Sequence, residues 1–366
     1  DWSSDVCSSD LAMAGRVEEV RGACAKLPGA MRDALAEVRR RVARDDLPLL
    51  SLLQTAPLQL QSSHLSFQEY FAARALCEEG TVLSGTPPWQ WPVWWANAVT
   101  LGAEMGDGFR RGLLRAAGVT GTELDLSQKL GGDRPTVLRV VFEFSAVLTS
   151  LNLAGNPLDS SSGIGPEEAK AIAEALRFNA VLTSLDLSGN QLCGLDGFGR
   201  GTYDASGIQA LATAIGSGSA VLTSCTLIKN NLDIESAQML AKIGTEKRIM
   251  LSGMKQDQTE ASFYDQGLKP ADAILIASYL PFMAVLTECN VRGNNLDKES
   301  ATLLAKVGSQ KRIMLFGIKH DQTQANFQSQ RLGPVDAILI ASDLSVSADR
   351  KSTRLNSSHT VISYAV

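Results

Sequence analysis

Histidine is scarce in this chain, with three among 366 residues, and none stands beside a cysteine. Metal centres built on His and Cys need several such ligands at defined spacings, and the sequence contains no such cluster. It also contains no Gly-x-Ser-x-Gly nucleophile motif and no Gly-x4-Gly-Lys-Ser/Thr phosphate loop. These absences predict a chain that is not an enzyme and that by itself holds neither a metal nor a cofactor.

Paired cysteines and basic blocks are also missing. The six cysteines lie far apart and form no Cys-x-x-Cys pair, which is typical of reduced thiols in a cytosolic protein. The formal net charge is −5, so electrostatics favour neither nucleic acid nor an anionic membrane as a partner. No apolar run reaches the roughly 18 residues that span a bilayer. The sequence therefore predicts a cytoplasmic protein with no nucleic-acid or membrane partner.

The two ends of the chain differ from everything between them. The first ten residues read DWSSDVCSSD, and residues 349–359 read DRKSTRLNSSH. A DNA sequence that encodes the second has a reverse complement that encodes the first, so both resemble one sequencing adapter translated from opposite strands. We interpret residues 1–11 and 349–366 as adapter-derived, and we expect the rest to be a fragment of a longer protein.

Internal repetition determines the expected architecture of the rest. The phrase Ala-Val-Leu-Thr occurs four times and leads each time into a related segment, such as LTSLNLAGNPL or LTECNVRGNNL. Apolar residues alternate with polar ones in these segments, which predicts a short strand with one buried face. An amphipathic helix pattern follows the strands, for example PEEAKAIAEALRF. We expect seven units, whose strands begin at Leu124, Leu151, Leu185, Cys225, Ala261, Cys289 and Ala325.

A longer duplication lies within these repeats. Residues 230–284 recur at 294–348, and 35 of the 55 aligned positions are identical. The duplication predicts a valine at position 349, equivalent to Val285, but the chain has Asp349 there. The repeat therefore ends where the adapter-like sequence begins.

The combination of short strand, asparagine turn and helix resembles the leucine-rich repeat family in its longer, ribonuclease-inhibitor-like form. The resemblance covers residues 121–348 and implies an α/β fold, a horseshoe-shaped solenoid preceded by an α-helical domain at residues 12–120. Asparagines follow the strands at equivalent positions, where buried amides can bond the backbone of the turn and of the next unit. We expect this structural ladder to consist of Asn156, Asn190, Asn230 and Asn294.

The outward residues of the strands are predicted to form a protein-binding face. Small polar side chains with scattered charge suit such a surface. Tyr264 and Arg292 lie on neighbouring predicted strands and are of the types that dominate interface energetics. The predicted face consists of Asp125, Asn152, Asp186, Thr226, Tyr264, Asn290, Arg292 and Asn326.

Residues 12–120 show no strand repeat and are predicted to be helices joined by Pro/Gly breaks. In HLSFQEYFAARAL, at residues 64–76, Ser66 and Glu69 have the spacing of a capping box. This segment resembles the motif that ends the winged-helix part of NACHT-family signalling ATPases, the module of NOD-like receptors. The tryptophan-rich stretch that follows resembles the helical linker of that family. The resemblance implies that His64 contacts the β-phosphate of ADP in an intact parent that binds ADP or ATP.

Three functions fit these features. The preferred hypothesis is the ligand-sensing, autoregulatory repeat region of a NACHT-type signalling ATPase, whose repeats bind another protein or the parent's own ATPase domain. The alternatives are a free-standing leucine-rich repeat scaffold or inhibitor, and a regulator of a small GTPase. A phosphate loop upstream would favour the first hypothesis, and a start codon just before Leu11 would favour the second.

Overall fold

The structure is a computed structural model that describes residues 29, 33, 36, 37, 40, 41, 44, 50–55, 58–62, 65–78, 81, 83, 85–131, 133–156, 164–217, 221–319, 322, 324, 325, 327 and 332–353. The chain divides into two compact units, Asp1–Ala72 and Ala73–Val366. Residues 1–11 and 354–366, which we interpret as adapter-derived, lie outside the described residues. Residues 349–353 continue the last helix.

The first unit contains a β-hairpin where the sequence predicts helices. Strand β1 (Leu50–Thr55) pairs antiparallel with strand β2 (Leu58–Ser62). The expectation of an entirely α-helical domain at residues 12–120 is therefore wrong. Leucine and glutamine alternate along β2 with the period of a strand, and pairing between the two strands overrides the helix propensity of leucine.

Helix α1 (Leu65–Cys77) carries the HLSFQEYFAARAL motif and crosses the boundary between the two units. Ser66 is already helical, so it is not the N-cap residue that the capping-box spacing predicts. The spacing does not by itself fix the first residue of a helix, because a Ser-x-x-Glu sequence also fits within a first turn. His64, the residue implied to contact nucleotide, lies outside the described residues.

The second unit continues with helices and buried tryptophan. Trp91 is buried, and its ring stacks on that of Trp95 with 4.1 Å between the centroids. Helices α2 (Ala96–Glu104) and α3 (Asp107–Ala116) follow, and both pack against helix α4 (Arg134–Ser145). Large stacked rings bury much apolar area, so this cluster stabilises the junction between the helical segment and the first strand–helix unit.

Short parallel strands alternate with helices through the rest of the second unit. Four strands form one parallel sheet, and two more form a separate parallel pair. Equivalent residues lie in register, with Leu151 beside Leu185 and Leu185 beside Cys225, and all three are buried. The strands are β3 (Glu123–Asp125), β4 (Ser150–Asn152), β5 (Ser184–Asp186), β6 (Ser224–Thr226), β7 (Glu260–Ser262) and β8 (Glu288–Asn290). The helices are α5 (Pro166–Leu176), α6 (Ser206–Ser217), α7 (Ile234–Lys247), α8 (Pro270–Tyr279), α9 (Lys298–Lys311) and α10 (Pro334–Thr353).

Two further segments extend these sheets. Met250 forms a parallel bridge with Ser224 of β6, and Met314 forms one with Glu288 of β8. Both methionines belong to the repeated sequence Lys-Arg-Ile-Met-Leu, in which the arginine ends a helix in the left-handed conformation, with φ 57° at Arg248. Sequence patterns predict the helix end but miss the pairing, because Ile-Met-Leu shows no alternation of apolar and polar residues.

The seventh predicted strand is not found among the described residues. Gln324 and Ala325 have no strand assignment, and Asn326 lies outside the described residues. The edge of β8 away from β7 is occupied by Met314, whose carbonyl accepts the backbone N–H of Cys289 at 2.7 Å. The expectation of a strand at Ala325 is therefore wrong in the part of the chain that the structure describes.

Asparagine side chains hold the turns that follow the strands. The Nδ2 of Asn190 donates to the carbonyl of Leu187 in its own turn at 2.8 Å and to that of Leu153 in the preceding unit at 3.1 Å. Its Oδ1 accepts the backbone N–H of Asn156 at 2.8 Å. Each amide therefore links two consecutive units and satisfies buried backbone groups. The same pair of donated hydrogen bonds recurs at Asn156, Asn230 and Asn294.

Helix packing at Gly207 leaves no room for a side chain. A Cβ atom there would lie 2.7 Å from the carbonyl oxygen of Pro166 and 2.8 Å from the Cβ of Ala169 in α5. Gly207→Ala is therefore expected to lower the free energy of unfolding by about 1–3 kcal/mol, as overpacking does. Gly216 lies in the same helix, and a Cβ atom there would have no neighbour nearer than 3.7 Å. Gly216→Ala should therefore raise the free energy of unfolding by about 0.5–1 kcal/mol. Urea unfolding measures the stability of both variants. If both substitutions raised the stability, or both lowered it, the result would contradict this packing.

Candidate protein-binding face

The predicted face consists of side chains that alternate with the buried residues of the strands. Asp125, Asn152 and Asp186 lie in register on three neighbouring strands. The side-chain oxygen of each accepts the backbone N–H two residues further on at 2.8–2.9 Å, and that of Asn290 does so at 3.1 Å. The hydroxyl and then the backbone N–H of Ser127 lower the pKa of the Asp125 carboxyl. These side chains therefore stabilise the turns at the ends of the strands.

Thr226 aligns with Asp186 on the same row, but it is only 6% exposed. The backbone of Gly253 covers it, since a Cβ atom at that glycine would lie 3.1 Å from the methyl group of Thr226. The assignment of Thr226 to an accessible binding face is therefore wrong. The cause is the segment around Met250, which adds an edge beside β6 that the strand pattern does not predict.

Tyr264 and Arg292, the predicted hot spot, lie against each other. The guanidinium carbon of Arg292 is 5.7 Å from the centroid of the Tyr264 ring, which is within the range of a cation–π interaction. The backbone N–H of Asp265 donates to the carbonyl of Arg292 at 3.0 Å, so the two chain segments are joined beside the pair. Tyr264 is 51% exposed and therefore accessible to a partner. Asn326, the remaining predicted residue of the face, lies outside the described residues.

Arg292 also lies over a second ring, that of Phe316, at 5.1 Å from the guanidinium carbon to the centroid. Phe316 meets Phe327 edge to face with 5.8 Å between the ring centroids. These residues line an open cleft of about 190 Å³, which we call the Arg292 cleft. Small-molecule sites have volumes of roughly 300–1,000 Å³, so this cleft suits a single inserted side chain. Its lining is completed by Gly317, Ile318, Gln322 and Ala325.

Asp343 holds the segment that carries Phe316. Its carboxylate accepts the backbone N–H of Leu315 at 2.6 Å and that of Phe316 at 2.9 Å, and the residue is fully buried. Burial raises the pKa of this carboxyl to about 6, although the hydrogen bonds from the backbone act in the opposite direction. Strand patterns predict neither Phe316 nor Asp343 as part of the site, because both lie outside the seven expected strands.

Comparison of the two duplicated copies provides the signal that strand patterns lack. Most of the frame around the cleft is identical in both copies, including Lys-Arg-Ile-Met-Leu and Ala-Ile-Leu-Ile-Ala-Ser. At the positions equivalent to Arg292 and Phe316, Ile228 and Ser252 are buried, so no charge is presented there. The frame is thus retained, whereas the four residues before each copy all differ, with Thr-Leu-Ile-Lys at 226–229 and Asn-Val-Arg-Gly at 290–293. Arg292, Phe316 and Asp343 stand at the positions equivalent to Ile228, Ser252 and Tyr279.

Two glutamates lie on a neighbouring row of the same face. Glu260 of β7 and Glu288 of β8 lie directly opposite each other in the parallel pair. Burial raises the pKa of Glu288, and the like charge of Glu260 raises it further, whereas Lys319 lowers it. The face therefore presents carboxylates as well as the arginine, which favours a partner that carries charges of both signs.

A family model described as Leucine Rich Repeat matches residues 181–200, which contain strand β5 and the ladder residue Asn190. Leucine-rich repeats generally mediate protein–protein interaction, so the fold and the matched repeat point to the class of interaction proteins. No curated protein matches the chain at a significant level.

The described part of the chain forms neither a membrane span nor a metal cluster. Among the described residues, no helix combines the length and the apolar character needed to cross a membrane. Nor do three or more His, Cys, Asp or Glu side chains from these residues come together as a metal site. Burial raises the pKa of Cys193 to about 11 and that of Cys225 and Cys289 to about 12, so these three thiols stay protonated and unreactive at neutral pH.

Proposed function

We propose that residues 121–348 form a ribonuclease-inhibitor-like solenoid whose exposed strand face binds a protein, with Tyr264 and Arg292 at the centre of the interface and the buried ring of Phe316 supporting Arg292. The observation that carries this proposal is the divergence at the Arg292 cleft, at Arg292 just before the second copy and at Phe316 within it, beside a frame that both copies retain. A change that served packing alone would have no reason to place a cation where the equivalent position holds the buried Ile228. Arginine and tyrosine are also enriched among residues that dominate binding energy.

The wider context that we propose is a NACHT-type signalling ATPase in the cytoplasm, with the repeats acting as its ligand-sensing and autoregulatory region. Support comes from the motif carried by α1 and from the β-hairpin just before it, the kind of element that gives winged-helix modules their name. In this proposal the chain has no catalytic activity of its own. ADP or ATP is bound by the intact parent, with His64 at the phosphate, and the partner is another protein or the parent's ATPase domain.

A long-read sequence of the full transcript tests this context. A phosphate loop and an acidic Mg²⁺ site encoded upstream would support the NACHT proposal, and His64→Ala in that parent would then be expected to weaken retention of ADP. A start codon just before Leu11 would contradict it and would leave a free-standing repeat scaffold. The proposed protein-binding face does not depend on which of these is found.

Partner capture tests the face itself. The double variant Arg292→Ile/Phe316→Ser installs the residues of the equivalent positions, and it is expected to reduce capture of specific partners by about 10-fold or more, a loss of roughly 1.4 kcal/mol or more. A surface control is Arg177→Ile/Phe178→Ser, because Arg177 also lies over the ring of Phe178, at 6.0 Å, where α5 ends. Phe178 is exposed whereas Phe316 is buried, so the single variant Arg292→Ile is compared as well, to separate loss of contact from loss of folding. Quantitative mass spectrometry of material bound to the wild type and to each variant measures the effect. Equal losses in the two double variants would contradict the assignment.

A further inference from the structure

We propose that the Arg292 cleft takes a carboxylate that adjoins an apolar side chain, supplied by an acidic peptide segment of the partner. This inference rests on the proposed protein-binding function and specifies the chemistry that is recognised at its centre. It follows from the position of the guanidinium, from the lining of the cleft and from the number of donors that the cleft offers.

The guanidinium of Arg292 lies near two aromatic rings and is not neutralised by a described carboxylate. Its central carbon is 5.7 Å from the centroid of the Tyr264 ring and 5.1 Å from that of Phe316, and no ion pair joins it to a carboxylate of the residues that the structure describes. Other arginines of the chain differ in this respect, since Arg110 donates to Glu143 at 2.7 Å and Arg200 donates to an aspartate at 2.8 Å. Cation–π contacts do not require the N–H donors of a guanidinium, and a pair of those donors matches the two oxygens of a carboxylate.

The remaining lining of the cleft is mostly apolar. Phe316 and Ile318 are buried at its floor, and Phe327 packs edge-on against Phe316. Gln322 is the other polar side chain, and its amide is already engaged: its oxygen accepts the N–H of Lys319 at 3.0 Å, and its nitrogen donates to the carbonyl of Gln324. Among the described lining residues, a ligand therefore meets one cationic group, with the apolar rings of Phe316 and Phe327 beside it. This combination selects a carboxylate with an apolar neighbour.

A single arginine also favours a carboxylate over a phosphate. Protein sites for phosphate groups usually gather several arginines or the N–H groups of a helix N-terminus, and the described residues that line this cleft include one cationic side chain. Glu288 and Glu260 lie on the same face, beyond the row of Asn290, and their negative charge disfavours a dianion more than a monoanion. The chemistry of the cleft thus points to an aspartate, a glutamate or a terminal carboxylate of a peptide.

The test uses 3-phenylpropionate as the probe and 3-phenylpropanamide as its uncharged match. Each is titrated into the isotope-labelled full chain while the side-chain N–H signals of arginine are followed by NMR. The acid is expected to bind about 5-fold or more tightly than the amide, because its hydrogen bonds to the guanidinium are charge-assisted. Arg292→Ile should abolish this preference, and Phe316→Ser should weaken both probes. Arg177→Ile, at a similar arginine–phenylalanine pair outside the cleft, should change neither titration.

Equal affinity for acid and amide in the wild type would overturn the inference. Tighter binding of inorganic phosphate than of 3-phenylpropionate would also overturn it, because the cleft would then be a phosphate site. If the acid shows no preference while Arg292→Ile/Phe316→Ser still reduces partner capture, the carboxylate inference fails and the protein-binding function stands. If the preference is present but capture is unchanged, the carboxylate site stands and its role at the centre of an interface fails.

Discussion

Asn190→Ala is expected to lower the free energy of unfolding by about 3–5 kcal/mol, a loss large enough to unfold many domains of marginal stability. The substitution removes two hydrogen bonds to the carbonyls of Leu153 and Leu187 and the acceptor of the Asn156 N–H, while all these groups remain in a buried turn. A buried polar group left without a partner costs about 1–3 kcal/mol. Urea unfolding followed by circular dichroism measures the change.

Two further variants separate hydrogen bonding from loss of volume at this position. Asn190→Asp keeps the shape but turns an oxygen towards the two carbonyls, so it is expected to destabilise at least as much as alanine near neutral pH, and less in acid. Asn295 is exposed, and Asn295→Ala is expected to change stability by less than about 0.5 kcal/mol. A loss in Asn190→Ala no greater than in Asn295→Ala would show that the asparagine ladder does not hold the units together.

Sequence patterns predict those elements of this fold in which local periodicity and tertiary packing agree. The alternation around Leu151 and Leu185 has the period of a strand, and the same residues are buried in register. The asparagine after each strand is expected to bond the turn and its neighbour, and Asn190 bonds both. In these places one residue type satisfies the local and the long-range requirements together, so the local sequence is sufficient to predict the structure.

Other features depend on pairing partners that no local pattern specifies. The hairpin of β1 and β2 contains leucines that also favour helices, and only the strand opposite determines the outcome. Met250 and Met314 pair at sheet edges from segments without alternation, and the edge at Met250 is what buries Thr226. The sequence predicts that Tyr264 and Arg292 are neighbours, because their predicted strands are adjacent. It does not predict that Phe316 lies near Arg292, because that placement depends on the pairing of Met314 with β8.

The pH dependence of stability is expected to reveal Asp343. Its pKa is raised by burial to about 6 from the usual 3.8, so the unfolded chain loses this proton more readily than the folded chain. The folded state is therefore favoured most below about pH 4, and this contribution is lost as the pH rises through about 6. The difference between the two pKa values corresponds to about 3 kcal/mol.

Asp343→Ala isolates this contribution, because Glu288 and the other titrating groups remain in both proteins. As the pH falls from about 8 to below 4, the wild type is expected to gain about 3 kcal/mol of stability relative to the variant. Urea unfolding at several pH values measures the difference, and parallel curves would show that the carboxyl is not held in a buried site. Because Asp343 bonds the backbone of Leu315 and Phe316, the variant should also loosen the floor of the Arg292 cleft. Faster amide exchange at these two residues, with Asn190 and its turn unchanged, is the expected signature of that local effect.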